Sequence, residues 1–255
     1  MVVGAGFEGL AKAEDFGFSM PQEYLNYTVT VENGTLWAKI DGVYPMHLDG
    51  ANGTAQLPMV YPTPPSTTNM HVYLNDVELS WSNYSELYPS ERHYTDIGNW
   101  QMIYTVIAPA APDFVLGIHY EHPVELINGT YMLLYDLNIK DYLSPQTPKS
   151  TAHFNIRIEA NISAVKVYAT GTTGFRSNWS PVTYNGTEDE GVRIVEFDVV
   201  SEYAKPLWGD IIVELVDTEI PELQLWTVLI VAGTAGLTGV VFQKHVKRNR
   251  QLTLR

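Results

Sequence analysis

The sequence predicts an all-β protein, an antiparallel β-sandwich ectodomain followed by one C-terminal transmembrane helix. Short segments of alternating apolar and polar residues are bounded by turn residues, and long helical periodicity is missing before residue 222. Asn-Gly pairs such as Asn33-Gly34 and Asn128-Gly129 separate neighbouring segments, as in two-residue hairpin turns. Residues 223–242 then run for twenty positions without a charge. That length suits a hydrocarbon layer about 30 Å thick.

The strands are predicted in order along the chain, with further turns at Asp41-Gly42 and Asn75-Asp76. Residues 61–68, YPTPPSTT, are predicted to form an extended polyproline loop. The predicted strands cover residues 27–31, 35–40, 43–48, 71–74, 77–81, 100–107, 114–120, 125–127, 131–139, 152–159, 163–169, 192–200 and 211–215.

Each strand has one apolar side, which is the pattern of antiparallel sheets with one solvated face. In 114–120, Phe114, Leu116 and Ile118 alternate with other residues, and 152–159 repeats the pattern. Two such sheets can bury their apolar sides against each other, which offsets the absence of cysteine and therefore of disulfides.

The proposed domain organisation follows composition along the chain. Residues 1–23 are predicted to be the remainder of a signal peptide or a flexible N-terminus. Two β modules then follow, separated by a linker rich in Ser, Thr and Pro. Alternatively, the two β segments form one larger sandwich. The segments are a β module at 24–141, the linker at 142–151, a second β module at 152–217, a juncture at 218–222, the transmembrane helix at 223–242 and a basic cytoplasmic tail at 243–255.

Charge sets the predicted orientation of the chain in the membrane. Residues 1–222 hold 10 Lys and Arg against 29 Asp and Glu, a net charge of −19, while residues 243–255 carry five basic residues and no acidic one. Basic flanks stay on the cytoplasmic side, so the acidic part is predicted to lie outside the cell membrane. The same acidity argues against nucleic acid as a partner.

N-glycosylation acceptors are far more frequent than chance. Eight of the 14 Asn begin an N-x-S/T sequence, where the Ser and Thr content predicts about two. All eight precede the apolar segment, on the side predicted to be outside. The predicted glycosylation sites are Asn26, Asn33, Asn52, Asn83, Asn128, Asn161, Asn178 and Asn185. Many acceptors without cysteine suggest an archaeal envelope protein.

The C-terminal region also resembles a known family. Glu219-Ile220-Pro221-Glu222-Leu223, an apolar span and a basic tail resemble the C-terminus of archaeal cell-surface proteins of the PEF-type sorting class, with Leu223 where that pattern has Phe. The resemblance covers about the last 37 residues. It implies a surface location and leaves the ectodomain's function open.

No catalytic, cofactor-binding or metal-binding residue is assigned from the sequence. Gly4, Gly6 and Gly9 spell GxGxxG, but the strand that must precede such a loop has no room. His119, Glu121 and His122 read HYEH, yet alternation puts His122 on the opposite face of a strand from the other two. The acidic turn at 188–190 and the aromatic residues between 81 and 100 are weak candidates for Ca²⁺ and for sugars.

The sequence therefore predicts a single-pass, glycosylated surface protein with a structural, adhesive or binding role. Two alternatives stay open: a membrane-tethered hydrolase of envelope glycans or peptides, and the ligand-binding subunit of a receptor complex. A cleft with two or more titratable groups around a shared void would favour the hydrolase. Expected partners are the lipid bilayer, envelope proteins or glycans, and a second copy through small residues of the span. These small residues are Ala232, Gly236, Ala235 and Gly239.

Overall fold

The structure is a computed structural model that describes residues 17–49, 56–83, 101–137, 142–170, 179–205 and 210–216. These residues form an all-β fold whose sheets are mainly antiparallel. The strands are β1 (Gly17–Ser19), β2 (Gln22–Glu32), β3 (Thr35–Asp49), β4 (Leu57–Thr63), β5 (Thr68–Leu74), β6 (Val77–Leu79), β7 (Trp81–Asn83), β8 (Gln101–Ile107), β9 (Asp113–Pro123), β10 (Glu125–Ile127), β11 (Thr130–Asp136), β12 (Lys149–Ile158), β13 (Ala164–Ala169), β14 (Ser180–Pro181), β15 (Asn185–Asp189), β16 (Val192–Glu202) and β17 (Asp210–Val216).

The strands form three sheets. The largest has nine strands in the order β15-β16-β12-β2-β3-β9-β5-β6, and β1 pairs with β3 beside this path. A five-stranded sheet has the order β10-β11-β17-β13-β14, and a three-stranded sheet the order β4-β8-β7. Strands β2 and β12 are parallel. Strand β2, in the predicted first module, therefore lies beside β12, which begins the predicted second module, in the nine-stranded sheet.

The core is built from the alternating inward side chains that the sequence predicted. Phe114, Leu116, Ile118 and Tyr120 are buried on β9, and Ile156 is buried on β12. Buried side chains of the nine-stranded and five-stranded sheets belong to one hydrophobic cluster. The three-stranded sheet contributes Leu57, Met59, Ile103 and Ile107 to the same cluster.

Three predicted hairpin turns are confirmed by their backbone geometry. Asn33 and Gly34 have φ angles of 51° and 79°, and Asn128 and Gly129 have φ angles of 51° and 80°. Positive φ at both positions is the type I′ turn that suits the twist of antiparallel strands. Asn75-Asp76 joins β5 to β6 with two positive φ angles as well.

The turn predicted at Asp41-Gly42 is replaced by a continuous strand. β3 runs through both residues, because β2 pairs with them on one side and β9 pairs with them on the other. Gly42 has its own packing role there. A Cβ atom at this position would lie 2.6 Å from the hydroxyl oxygen of Tyr44, so the missing side chain makes room for the Tyr44 ring.

The proline-rich segment, residues 61–68, is not wholly the loop that the sequence predicts. Its first three residues, 61–63, form the end of β4, which spans residues 57–63. Pro58 and Pro62 are compatible with a strand because β4 lies at the edge of its sheet. A proline on an edge strand does not remove an N–H donor from the hydrogen bonds between central strands. Likewise, β1 and the start of β2 extend into the predicted N-terminal tail.

The predicted transmembrane segment at 223–242, its flanks and residues 1–16 lie outside the described residues. Within the described ranges, no helix has the length and apolar character needed to cross a membrane.

Candidate functional site

A cavity of about 320 Å³ lies among residues of all three sheets. Strand β2 contributes Glu23, β3 contributes Tyr44, β4 contributes Tyr61, and β11 contributes Tyr135 and Asp136. The remaining wall is largely apolar and includes four methionines, Met20, Met46, Met59 and Met102. An apolar concave site with a few convergent polar groups is the usual form of a small-molecule site.

Glu23 is the one charged side chain placed inside the apolar alternation of β2. Its neighbours on the same face, Leu25, Tyr27 and Val29, are buried core residues, and Glu23 itself is 0% exposed. The hydroxyl of Tyr135 donates a hydrogen bond of 2.5 Å to Glu23 Oε2. Glu23 Oε1 is buried and has no hydrogen-bond partner among the described residues. A buried carboxyl oxygen without a hydrogen-bond partner is costly, so Glu23 Oε1 is an atom that a bound molecule would satisfy.

Buried tyrosines continue the polar network from Glu23. Tyr135 Oη lies 3.5 Å from Tyr44 Oη, which lies 2.8 Å from Tyr61 Oη. The ring of Tyr61 packs edge-on against the ring of Tyr120, with 6.2 Å between ring centroids. The buried Tyr27 hydroxyl has no hydrogen-bond partner among the described residues. The site thus places several phenol groups around the carboxyl group of Glu23.

Burial controls protonation in this cluster. Desolvation raises the pKa of Glu23 to about 7, Tyr135's hydrogen bond opposes the rise, and the charge of Asp136 adds to it. Desolvation also raises the pKa values of Tyr44, Tyr61 and Tyr135 well above the usual value for tyrosine. Glu23 therefore titrates near neutral pH, whereas the phenols remain protonated hydrogen-bond donors.

The HYEH residues lie on the two faces that the alternation predicted. His119 pairs with Asp41, and Glu121 binds Lys39 at 2.9 Å on the outward face of β9. The Lys39 hydrogen bond is the largest cause that lowers the pKa of Glu121. His122 is 1% exposed, and its Nδ1 lies 2.9 Å from the Pro123 carbonyl oxygen. Across the described ranges, no three His, Cys, Asp or Glu side chains gather as a metal site.

Of the other weak candidates, those that the structure describes do not line the cavity. Glu188 on exposed β15 pairs with Arg193 at 2.8 Å, next to the turn at Glu190-Gly191. Trp81 is partly exposed, and its Nε1 donates a 3.2 Å hydrogen bond to the Met70 carbonyl oxygen. Residues 84–100, which hold the other candidate aromatic rings, lie outside the described residues.

Most of the predicted glycosylation sites are asparagines that are exposed in the structure. Asn33 and Asn128 lie in exposed hairpin turns, and Asn26 points outward from β2. Asn161 and Asn185 are exposed, while Asn83 is half-buried. Its Nδ2 lies within hydrogen-bond distance, 3.3 Å, of Gln101 Oε1. Asn52 and Asn178 lie outside the described residues.

Sequence reasoning missed the Glu23 cavity, although one signal was present. Glu23, Leu25, Tyr27 and Val29 alternate with Tyr24, Asn26 and Thr28, so Glu23 occupies an inward position of an apolar face. The predicted strand began at residue 27, which left Glu23 in the presumed tail. The tyrosines that surround it come from distant parts of the chain and give no local pattern.

Comparisons with known proteins bear on the fold alone. No family model and no curated protein matches the chain. A crystal structure from Legionella pneumophila, described as a nutrient-binding protein, is similar with a TM-score of 0.52 and 12% identity, covering 78% of this chain and 67% of that chain. At this identity the similarity concerns the fold and leaves the site undetermined.

Two enzyme structures are less similar. Native leukotriene A4 hydrolase from Saccharomyces cerevisiae has a TM-score of 0.41 and 14% identity, covering 81% of this chain and 30% of the hydrolase. An M1 zinc metallopeptidase from Deinococcus radiodurans has a TM-score of 0.37 and 16% identity, covering 78% of this chain and 42% of the peptidase. The chain therefore spans less than half the length of either enzyme.

Proposed function

We propose that this chain is a membrane-anchored, N-glycosylated surface protein whose β-sandwich ectodomain binds a small molecule in the Glu23 cavity. The observation that carries the binding role is Glu23 Oε1, a buried oxygen without a hydrogen-bond partner among the described residues. It belongs to a side chain that lines a largely apolar cavity of about 320 Å³. That volume lies at the lower end of the range for small-molecule sites. A ligand that donates a hydrogen bond would satisfy this oxygen.

The sandwich assignment within this proposal is supported by the shared core. Apolar side chains of the nine-stranded and five-stranded sheets form one cluster, as expected when two sheets cover each other's inner faces. The anchoring is supported by the uncharged segment at 223–242 and the basic residues after it. The resemblance to PEF-type tails favours an archaeal cell surface, and the spacing of Ala232 and Gly236 favours self-association in the membrane.

Binding explains the cavity better than catalysis does. The void does hold two titratable carboxyl groups, Glu23 and Asp136, which favours the enzyme alternative by the criterion set from the sequence. However, most of its wall consists of Met, Val, Ile, Leu and Tyr side chains. These residues exclude water and fill space around a ligand. A Legionella protein of similar fold is described as nutrient binding, and a ligand-binding receptor subunit is a form of the same proposal.

The surface assignment can be tested on intact cells that produce the full chain. Protease is added outside, and peptides released from residues 17–216 are identified by mass spectrometry. We expect ectodomain peptides to be released and several to carry glycans at predicted acceptors such as Asn33 and Asn128. A cytoplasmic protein serves as the control for lysis. Protection of the ectodomain in intact cells, with release only after lysis, would contradict the proposal.

A further inference from the structure

The polar lining of the Glu23 cavity carries a single sign of charge. Its charged side chains are Glu23 and Asp136, and no Lys, Arg or His is among the described residues that line it. Asp136 raises the pKa of Glu23 through its charge, so the two carboxyl groups repel when both are ionised. A cation in the cavity would relieve that repulsion, whereas an anion would add to it.

The remaining polar groups also suit a cation. The rings of Tyr44 and Tyr61 meet edge-on with 5.9 Å between their centroids, and both line the cavity with Tyr135 and Tyr142. The faces of tyrosine rings attract organic cations within about 6 Å of the ring centroid. Tyr135 donates to Glu23 Oε2, which leaves Oε1 as an acceptor for a ligand's donor.

The rest of the cavity suits an apolar ligand body. Met20, Met46, Met59 and Met102 line it together with aliphatic side chains of β5 and β9. Methionine side chains are flexible and polarisable, so they adapt to the shape of a bound apolar group. The cavity therefore combines acidic and phenol groups with apolar side chains.

We propose that the cavity binds a primary or substituted organic ammonium ion with a small apolar body, and that Glu23 is its counter-ion. This inference rests on the proposed binding function and specifies its ligand class. The ammonium group donates to Glu23 Oε1 and contacts the tyrosine rings, while the apolar body packs among the methionines. Because the buried Glu23 must be ionised to pair with the cation, binding shifts its titration to lower pH.

Three probes with the same ring separate charge from shape: 2-phenylethylammonium, 2-phenylethanol and 3-phenylpropionate. Binding of each to the full chain in lipid nanodiscs is measured by titration calorimetry at pH 7. We expect the ammonium ion to bind at least tenfold more tightly than the alcohol and the carboxylate to bind most weakly. Binding of the cation should release about half a proton per ligand at pH 7, detected as a heat difference between phosphate and HEPES buffers.

The pH dependence of the unmodified protein gives a second readout. Below pH 7 the cation's affinity should fall by roughly tenfold per pH unit, because protons compete for Glu23, while the alcohol's affinity stays constant. The titratable groups around Glu23 are Tyr27, Tyr44, Tyr61, Tyr135, Tyr142 and Asp136. Burial raises the pKa values of Tyr27, Tyr44, Tyr61 and Tyr135, so these four phenols keep their protons throughout this range.

Two variants complete the test. Glu23→Gln should weaken cation binding at least tenfold and abolish proton release, with alcohol binding unchanged within threefold. Glu121→Gln, an outward carboxyl on β9, should leave all three affinities unchanged. If the alcohol or the carboxylate binds the unmodified protein as tightly as the ammonium ion, the ligand class is wrong and the binding function stands. If none of the three probes binds, both the ligand class and the proposed binding function are overturned.

Discussion

Replacing Glu23 with Gln should remove one contribution to the pH dependence of folding stability, the fall in stability as pH rises from about 4.5 to 7. Glu23 has a folded-state pKa of about 7 against 4.5 for the free group, mainly because burial disfavours the carboxylate. Between these values the folded state binds more protons than the unfolded state, so its stability falls as pH rises. A difference of about 2.5 pKa units corresponds to about 3 kcal/mol. Gln carries no charge at any pH and keeps an oxygen that accepts from Tyr135.

The assay is urea denaturation of the two proteins at intervals from pH 4.5 to 8. Relative to the unmodified protein, Glu23→Gln should gain up to about 3 kcal/mol in the free energy of unfolding as pH rises across this range. Most of the gain should accrue between pH 4.5 and 7. Using the difference between proteins removes the contribution of groups that titrate alike in both.

Glu121→Gln is the matched control for this experiment. Lys39 lowers the pKa of Glu121, so the stability that this carboxyl contributes is lost only as pH falls below the ordinary range for glutamate. Its difference curve should therefore be flat above pH 5. Parallel stability curves for Glu23→Gln and the unmodified protein would refute the reasoning, because they would mean that Glu23 is solvated and ionised in the folded state.

Three further predictions concern His122, a turn and the core. Burial lowers the pKa of His122 to about 4, so the unfolded state binds more protons than the folded state between pH 4 and 6.5. Folding stability therefore rises with pH through that range. His122→Gln should remove about 3 kcal/mol of this rise, measured by the same urea titration. Gly34→Ala should cost about 1 kcal/mol of unfolding free energy through its φ of 79° alone, since no atom lies within 4 Å of the added Cβ; no loss in urea denaturation would contradict the turn assignment. Ile156→Ala should cost about 2 to 5 kcal/mol and Asn155→Ala on the outward face less than about 0.5, and equal costs would contradict the assigned faces.

Glu23 and His122 have opposite effects over nearly the same pH range. The folded protein keeps Glu23 protonated and His122 neutral, so one contribution falls with pH while the other rises. Their effects largely cancel in the unmodified protein between pH 4.5 and 6.5. Each single substitution should therefore reveal the slope of the remaining group, and the double variant should restore a shallow dependence.

The strands and turns that local pattern controls could be predicted from the sequence. Alternation placed Phe114, Leu116 and Ile118 inward, and Asn33-Gly34 fixed a hairpin because asparagine and glycine tolerate positive φ. Local pattern failed at Asp41-Gly42. There, pairing with β2 and β9 on both sides keeps the chain extended, which outweighs the turn propensity of two residues.

The candidate site could not be assembled from the sequence because it depends on distant pairings. Glu23 and Tyr135 are 112 residues apart and meet through a hydrogen bond inside the core. Tyr44 and Tyr61 belong to strands of different sheets. Only the inward position of Glu23 in its alternating strand was visible locally. A charged residue at such a position is a signal worth testing, since burial without a partner is costly.

Native mass spectrometry of the full chain, extracted in non-ionic detergent from the membranes of cells that make it, tests the account most directly. We predict two kinds of added mass. Glycans should remain on acceptor asparagines after denaturation, and a small molecule should be retained only by the folded protein and be missing from the Glu23→Gln variant. A polypeptide recovered from the soluble fraction, without glycans and with no retained molecule, would contradict both the surface location and the role of the cavity.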